Sequence, residues 1–152
     1  MKLEIRKLGH TEKAPMDLLL EADPSEEMIE KYLYTSECYV AEIGDDVIGV
    51  IVVAPNTAHE IELKNICVAE KYRNIGIGKD LVKYFVRLAK MEGYKDLIVK
   101  TADVSKRAIK FYEKMKFEYF FTVKSHFIKY YEEPIMEDGQ QAEDQIVMKR
   151  SL

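Results

Sequence analysis

Residues 61–80 of this 152-residue chain read IELKNICVAEKYRNIGIGKD, and this stretch decides how the rest of the chain is interpreted. The residues up to Val68 alternate between apolar and polar in the manner of a β-strand. After a short polar turn, Arg73-x-x-Gly76-x-Gly78 opens an amphipathic helical pattern. The first N–H groups of a helix lack intrahelical partners, and glycines without a Cβ let an anion approach them closely. The stretch therefore predicts a loop that binds a phosphate or diphosphate between a strand and a helix.

The spacing of this loop excludes two common phosphate-binding motifs. A Walker A loop needs a glycine five residues before a Gly-Lys pair and a Ser or Thr directly after it. Relative to Gly78, those positions hold Arg73 and Asp80. A dinucleotide fingerprint needs a third glycine where Leu81 stands. At this point another anion-binding loop and a plain helix-start loop without a ligand both stay open.

Composition is typical of a globular protein of one domain. Hydrophobic residues make up 47% of the chain and charged residues 33%, and the net charge is -4. A net negative charge does not indicate binding to nucleic acid or to an anionic membrane surface. No basic-then-apolar signal segment is present, and no run reaches the roughly 18 apolar residues of a membrane span. We therefore expect one domain over residues 1–152, in the cytoplasm, with no nucleic-acid or membrane partner.

The spacing of cysteine and histidine gives no support for a metal site. Cys38 and Cys67 lie in predicted strands and lack ligand spacing, so buried reduced thiols are expected. His10, His59 and His126 are scattered over different predicted elements. We therefore expect no metal cofactor.

Hydrophobic periodicity and turn residues predict the order of strands and helices. Strands are predicted at residues 3–8, 37–43, 47–54, 59–68, 96–101, 117–127 and 145–149. Helices are predicted at residues 12–22, 24–33, 78–92 and 102–115, the second with Asp23 as N-cap and Glu26 completing a capping box. Gly49 predicts a bulge or a close approach inside its strand, and Asp138-Gly139 predicts a tight turn.

This order of elements, together with two motifs, resembles the GNAT superfamily of N-acetyltransferases. The predicted order is β, α, α, β, β, β, α, β, α, β, β, and the first motif is Arg73-x-x-Gly76-x-Gly78. About thirty residues further on, Ala108-x-x-x-Tyr112-Glu113-Lys114-x-x-Phe117 resembles the second motif of the family. The resemblance spans essentially the whole chain. It implies an α/β fold in which helices flank a mixed, mostly antiparallel sheet with splayed central strands.

The resemblance implies acetyl-CoA as co-substrate, without a metal. The pantetheine arm would lie between strands 61–68 and 96–101 and contact backbone groups of Ile66, Cys67 and Val68. The pyrophosphate would bind mostly to backbone N–H groups of the loop, whose matching residues are Arg73, Asn74, Ile75, Gly76, Ile77, Gly78 and Lys79. For the side chains of Arg73 and Lys79, a solvated loop face is the alternative. Ser105 replaces an asparagine usual in the family, and its hydroxyl contacts pantetheine or caps the helix.

Two residues match catalytic positions of the family. Tyr112 matches a tyrosine that protonates the leaving thiolate, and a phenol with an ordinary pKa near 10 carries its proton at neutral pH. Packing of Tyr112 in the core is the alternative, and both roles can hold together. Glu62, eleven residues before Arg73, matches the glutamate base of some members. Its alternatives are binding of a cationic substrate together with Glu60, an exposed strand carboxylate, and a base role taken by water.

The implied activity is direct transfer of the acetyl group to a primary amine within a ternary complex. A small-molecule amine is the first expectation for the acceptor, and a protein N-terminus or lysine is the second. A non-catalytic acyl-CoA-binding regulatory module is the alternative from another class. Aromatic residues within 117–131 are expected in the core and on the last hairpin, with a substrate wall or a homodimer contact as alternatives. Lys116 stands where the family usually has glycine, so the turn before Phe117 departs from the family pattern.

Overall fold

The structure is a computed structural model that describes residues 2–152. The chain divides into two compact units, one ending at Lys95 and the other beginning at Asp96. Each unit combines antiparallel β-structure with helices, which confirms the expected α/β class. Within residues 2–152, no helix is both long enough and apolar enough to cross a bilayer.

The first unit holds a four-stranded antiparallel sheet and three helices. Its strands follow one another in the order in which they occur in the chain, each antiparallel to the next. A short 3₁₀ turn, Glu70–Tyr72, connects the fourth strand to the third helix. The elements are β1 (Leu3–Lys7), α1 (Met16–Ala22), α2 (Glu26–Leu33), β2 (Glu37–Ile43), β3 (Asp46–Pro55), β4 (Glu60–Val68) and α3 (Ile77–Met91).

Helices pack on both faces of this sheet. Buried side chains of α1 and α2 form one apolar cluster with side chains from β2, β3 and β4, among them Val50. On the adjacent residue Gly49, a Cβ would lie 3.3 Å from Leu81 of α3 and 3.2 Å from Ala41. Because successive strand residues point to opposite faces, α3 covers the face opposite to α1 and α2. The predicted close approach at Gly49 is confirmed.

The second unit contains three paired strands, two helices and a small hairpin. Its elements are β5 (Asp96–Ala102), α4 (Lys106–Lys114), β6 (Glu118–Val123), α5 (His126–Tyr130), β7 (Met136–Glu137), β8 (Gln140–Gln141) and β9 (Gln145–Ser151). Strand β9 lies between β5 and β6 and is antiparallel to both. Strands β7 and β8 pair separately, and Asp138 and Gly139 form their turn with φ values of 50° and 77°. The predicted tight turn is confirmed.

The starts of the first two helices differ from the prediction. Helix α1 begins at Met16 because the carboxylate of Glu12 is used in a turn, where it accepts from the N–H of Gly9 and from Arg6, both at 2.8 Å. The N-cap of α2 is Ser25, whose hydroxyl oxygen accepts from the N–H of Met28 at 3.2 Å. The predicted capping box at Asp23 is therefore wrong.

The second unit also departs from prediction at two places. Helix α4 begins at Lys106, later than the predicted start at residue 102. The predicted strand over 117–127 ends at Val123, because Ser125 adopts a φ of 58° and α5 follows. Phe117 is buried, but the next three aromatic side chains are exposed by 45% or more, which limits the predicted aromatic core: Tyr119, Phe120 and Phe121.

Candidate active site

Strand β4 has one residue more than β3 between two consecutive pairs of the ladder. Asn65 lies opposite Val52 and Leu63 lies opposite Val53, so Lys64 is the extra residue of a β-bulge. Side chains alternate between the faces of a strand, and an extra residue shifts this alternation by one. The even-numbered residues before the bulge therefore share a face with the odd-numbered residues after it.

The bulge places Glu62 in a polar cluster at the start of β4. The Glu62 carboxylate is buried, with 4% of the side chain exposed, and its Oε2 lies 3.3 Å from Nζ of Lys64. The side-chain amide of Asn56 donates to Glu62 Oε1 at 3.0 Å and to Glu60 Oε2 at 2.8 Å. Glu60 and Glu62 therefore lie on one face of β4. The alternative of an exposed strand carboxylate at Glu62 is wrong.

After the bulge, Asn65 ties β4 to both helices on the same face. Its side-chain amide donates to the carbonyl of Leu19 at 3.1 Å and to the hydroxyl of Tyr32 at 2.9 Å. Burial of this region raises the pKa of Tyr32 to about 12. The strand that carries Glu62 is thus fixed to α1 and α2 by hydrogen bonds as well as by apolar packing.

The backbone of Ile66, Cys67 and Val68 continues β4 toward the loop, and these residues pair with β3. The Cys67 thiol is buried and donates to the carboxylate of Glu21 at 3.4 Å. Burial and this contact with Glu21 raise the pKa of Cys67 to about 11, and burial also raises that of Cys38 to about 11. Both thiols are buried and free, as expected, so neither is a nucleophile at neutral pH.

The loop after β4 leads into an open helix start. Asn74 and Gly76 have φ values of 64° and 92°, and Gly76 is the N-cap of α3 without any side-chain cap bond. The N–H of Asp80 is the first that reaches the carbonyl of Gly76, at 3.0 Å. The N–H groups from Ile77 to Lys79 therefore have no partner within the helix.

The space around this helix start fits a diphosphate. A Cβ built on Gly76 would meet no atom within 4 Å, so the backbone is approachable from outside. The side chains of Ile75 and Lys79 are exposed. Unpaired amides at the positive end of a helix dipole are the usual protein site for such a group.

The side chain of Arg73 is engaged within the protein. Its Nε donates to the carbonyl of Val68 at 2.8 Å, and its Nη2 lies 3.2 Å from the carboxylate of Glu21. Arg73 thus links the end of β4, the loop and α1. The side chain is 44% exposed, so the alternative of a solvated loop face stays open beside a role in binding a phosphate.

In the second unit, Tyr112 is buried on α4. Its ring contacts Phe117 edge-on, with centroids 5.7 Å apart. Burial raises the pKa of the Tyr112 phenol above its ordinary value, which keeps the group protonated well into the alkaline range. Core packing is therefore one of its roles, and a role as proton donor stays a prediction.

Lys116 lies in the turn that ends α4, at the position where the family usually has glycine. Lys116 has a φ of 70°, its N–H donates to the carbonyl of Glu113, and the N–H of Phe117 donates to that of Tyr112, both at 2.9 Å. This pair of bonds is a Schellman motif, and the contact between Phe117 and Tyr112 is its usual apolar partner. The turn keeps the conformation that glycine favours.

Ser105 occupies the N-cap position of α4, but its hydroxyl does not cap the helix. Its side chain makes no cap bond, and its Oγ donates to the carboxylate of Glu137 at 3.0 Å. Capping by the hydroxyl is therefore wrong, while a contact with pantetheine stays a prediction.

The predicted site residues fall in both units. The first unit holds Glu62, the backbone of residues 66–68 and the loop of residues 73–79, whereas the second holds Tyr112 and Ser105. Sequence analysis misses three partners: Asn56, Lys64 and Glu21. Only the β3–β4 hairpin, which brings residue 54 opposite residue 62, gives a signal for Asn56. Within residues 2–152, no three His, Cys, Asp or Glu side chains are grouped to hold a metal ion.

Comparison with known proteins gives consistent matches. The profile of the acetyltransferase (GNAT) family matches residues 8–117. An uncharacterized N-acetyltransferase of Bacillus subtilis, YvbK, is 34% identical over 145 residues, which cover 95% of this chain and 94% of that protein.

Two solved structures share the fold over almost the whole chain. A GNAT family acetyltransferase from Elizabethkingia anophelis with acetyl-CoA bound has a TM-score of 0.96 and 37% identity, covering 99% of this chain and 98% of the other. An IAA acetyltransferase from Bacillus cereus has a TM-score of 0.94 and 36% identity, covering 99% and 100%.

Proposed function

The chain belongs to the acetyltransferase (GNAT) family and is an acetyl-CoA-dependent N-acetyltransferase, and from this premise we propose that it acetylates a small primary amine. The acetyl group passes directly from acetyl-CoA to the amine while both are bound. The whole of residues 1–152 acts as one catalytic domain. The reaction uses no metal.

The observation that carries this proposal is the buried carboxylate of Glu62. An amine arrives at neutral pH as an ammonium ion and must lose a proton before it attacks the thioester. The Glu62 carboxylate contacts Asn56 and Lys64 at the start of β4, which supports a role as the base that takes this proton. A buried acidic group among polar partners also attracts a cationic substrate.

Tyr112 supports the other proton transfer. The departing thiolate of CoA needs a proton, and a phenol is a suitable donor when it is protonated at the working pH. Burial raises the pKa of Tyr112, so this phenol keeps its proton at neutral and moderately alkaline pH. Tyr112 is therefore proposed as the general acid.

The backbone supplies most of the proposed contacts to acetyl-CoA. The open N–H groups from Ile77 to Lys79, together with the loop from Asn74 to Gly76, are proposed to bind the diphosphate. Residues 66–68 of β4 are proposed to bind pantetheine through main-chain groups. Ser105 is proposed to contact pantetheine as well, which requires its hydroxyl to break the hydrogen bond to Glu137.

The test is an acceptor screen followed by free thiol release from acetyl-CoA. Small primary amines, peptides with free N-termini and lysine peptides serve as acceptors. Glu62→Gln and Tyr112→Phe are each expected to lower kcat by about 100-fold, the lower end of general acid–base catalysis. Both variants keep acetyl-CoA affinity, measured by calorimetry.

The screen also separates the alternatives. Turnover with peptides alone favours a protein N-terminal or lysine acetyltransferase. Acetyl-CoA binding without turnover on any acceptor favours a non-catalytic regulatory module. Wild-type turnover in both Glu62→Gln and Tyr112→Phe contradicts the proposed roles of these residues.

A further inference from the structure

The β7–β8 hairpin contacts the start of α4 through a hydrogen bond between two side chains. The Oγ of Ser105 donates to Oε1 of Glu137 at 3.0 Å. Ser105 is buried, with 7% of its surface exposed, whereas both residues of β7, Met136 and Glu137, are exposed. A hydroxyl has one proton to donate, and Ser105 gives it to this carboxylate. A side chain of an exposed hairpin therefore occupies the hydroxyl of a buried residue.

The hairpin has an anchored base and an exposed outer part. Strands β7 and β8 have two residues each and form a two-stranded sheet of their own, which is a marginally stable arrangement. At the base, Ala142 is 1% exposed, and its N–H donates to the carbonyl of Ile135 at 2.8 Å. Residues 136–141 beyond this base are all exposed. The bond from Ser105 to Glu137 fastens this outer part of the hairpin to α4.

Resting on the proposed function, in which the Ser105 hydroxyl contacts pantetheine, we propose that residues 136–141 are a strap over the pantetheine position. Acetyl-CoA opens the strap by displacing Glu137 from Ser105. Because the ligand and Glu137 compete for one hydroxyl, each weakens the contact of the other. The displaced carboxylate is on an exposed hairpin, so water replaces its lost partner. The bond between Ser105 and Glu137 is therefore an autoinhibitory contact.

This coupling has a signature that ordinary ligand binding lacks. A bound ligand stabilises the folded protein and slows amide exchange where the structure opens less often. In the strap, residues 136–141, amide exchange is instead expected to become faster when CoA binds, because the released hairpin opens more often. The amides of residues 77–79, which are proposed to bind the diphosphate, are expected to exchange more slowly in the same sample.

Hydrogen–deuterium exchange of wild type, Glu137→Gln and Ser105→Ala, each with and without saturating CoA, tests the strap. In wild type, CoA is expected to accelerate exchange of residues 136–141 by about five-fold, the size of one ordinary hydrogen bond. In both variants the bond is weakened or absent, so the strap exchanges faster already in the free protein, and CoA adds little. Exchange at the wild-type rate in free Ser105→Ala would show that this bond does not hold the hairpin and would overturn the inference.

Calorimetric titration with CoA measures the other side of the coupling. Glu137→Gln is expected to bind CoA about five-fold more tightly than wild type, since the ligand no longer competes with a charged acceptor. The matched control is Asp138→Asn, which removes one negative charge from the next residue of the hairpin, where Asn tolerates the φ of 50°. CoA affinity of this control is expected to be close to the wild-type value.

The outcomes separate the strap from the proposed function. Equal tightening in Glu137→Gln and Asp138→Asn would attribute the effect to charge alone and contradict the inference. Constant or slower exchange of the strap in wild type, while CoA protects residues 77–79, also contradicts it and leaves the proposed function standing. A wild-type protein that binds no CoA shows instead that the proposed function has failed, and with it this inference.

Discussion

Helices α2 and α3 of the first unit begin in opposite ways. At the start of α2, Ser25 accepts from the N–H of Met28 at 3.2 Å, and Glu26 and Glu27 add negative charge to the first turn. At the start of α3, Gly76 offers no side chain and adopts a φ of 92°. Both helices pack on the same sheet, so tertiary packing alone does not decide the type of cap. The first start satisfies the N–H of Met28 with a side chain of the protein, whereas the second leaves its amides available to a ligand.

The largest expected effect on acetyl-CoA affinity comes from adding a side chain at Gly76, at the uncapped start of α3. Gly76→Val is expected to weaken acetyl-CoA binding by about 30-fold or more, because a β-branched residue disfavours a positive φ and fills the approach to the amides. A Cβ at this position meets nothing within 4 Å in the protein, so the affinity loss reports on the ligand side. Calorimetric titration with acetyl-CoA measures it.

The matched control for that variant is Gly139→Val. Gly139 has a φ of 77° in the β7–β8 turn and also has no atom within 4 Å of a built Cβ. It carries the same backbone penalty, roughly 1–2 kcal/mol of unfolding free energy, but no loss of acetyl-CoA affinity is expected. Equal affinity loss in both variants would show that strain alone explains the effect.

A change at the start of α2, which Ser25 caps, is expected to lower protein stability and not acetyl-CoA binding. Ser25→Ala removes the acceptor for the N–H of Met28 and is expected to lower the free energy of unfolding by about 1 kcal/mol. Urea denaturation measures this change, with acetyl-CoA titration on the same sample. A loss of acetyl-CoA affinity in Ser25→Ala would remove the distinction between the two helix starts.

The end of α4 extends the comparison to a C-terminus. Lys116 holds a φ of 70° in a Schellman motif without being glycine. Lys116→Gly is expected to raise the free energy of unfolding by about 0.5 kcal/mol, because relief of the left-handed strain exceeds the added flexibility of the unfolded chain. Thermal or urea unfolding checks the sign, and a lower stability than wild type would contradict the assignment of strain.

The smallest expected effect concerns the arginine of the loop. Since Arg73 already binds the Val68 carbonyl and Glu21, Arg73→Ala is expected to lower acetyl-CoA affinity by no more than about three-fold. Glu21→Gln serves as the partner variant and is expected to have an effect of similar size. A loss of tenfold or more in Arg73→Ala alone, with a flatter salt dependence of binding, would identify Arg73 as a direct phosphate ligand.

Strong periodicity explains why much of the fold can be predicted from the sequence. Strand β2 occupies Glu37–Ile43 as predicted, and α3 follows the predicted amphipathic pattern and buries Leu81 and Phe85. In both cases, local spacing and burial agree. The family assignment rests on such elements and on two motifs in the expected order, and it is confirmed by the comparisons.

Prediction fails where several local groups compete for one role. Asp23 and Ser25 both offer a side-chain oxygen before α2, and both are common N-caps. The N–H of Asp23 still belongs to α1, where it donates to Leu19, and its carboxylate accepts from the N–H of Ser25. Ser25 is therefore left as the cap, a choice that depends on where the preceding helix ends.

Contacts within the candidate site are even harder to predict from the sequence, because they join distant parts of the chain. Glu21 and Arg73 are 52 residues apart, and nothing in either local pattern indicates their contact. Glu62 is assigned from its position before Arg73, but its burial and its contact with Lys64 depend on the bulge. A bulge is a property of the pairing between β3 and β4, and the residues of β4 alone do not reveal it.

The bulge at Lys64 has a consequence for how this segment can evolve. Deletion of Lys64 would leave Leu63 opposite Val53 and Asn65 opposite Val52 with no residue between the two pairs, so Glu62 and Asn65 would stay on one face of a regular ladder. The segment can therefore lose this one residue in evolution without exchanging its inward and outward side chains, whereas a second deletion would exchange them.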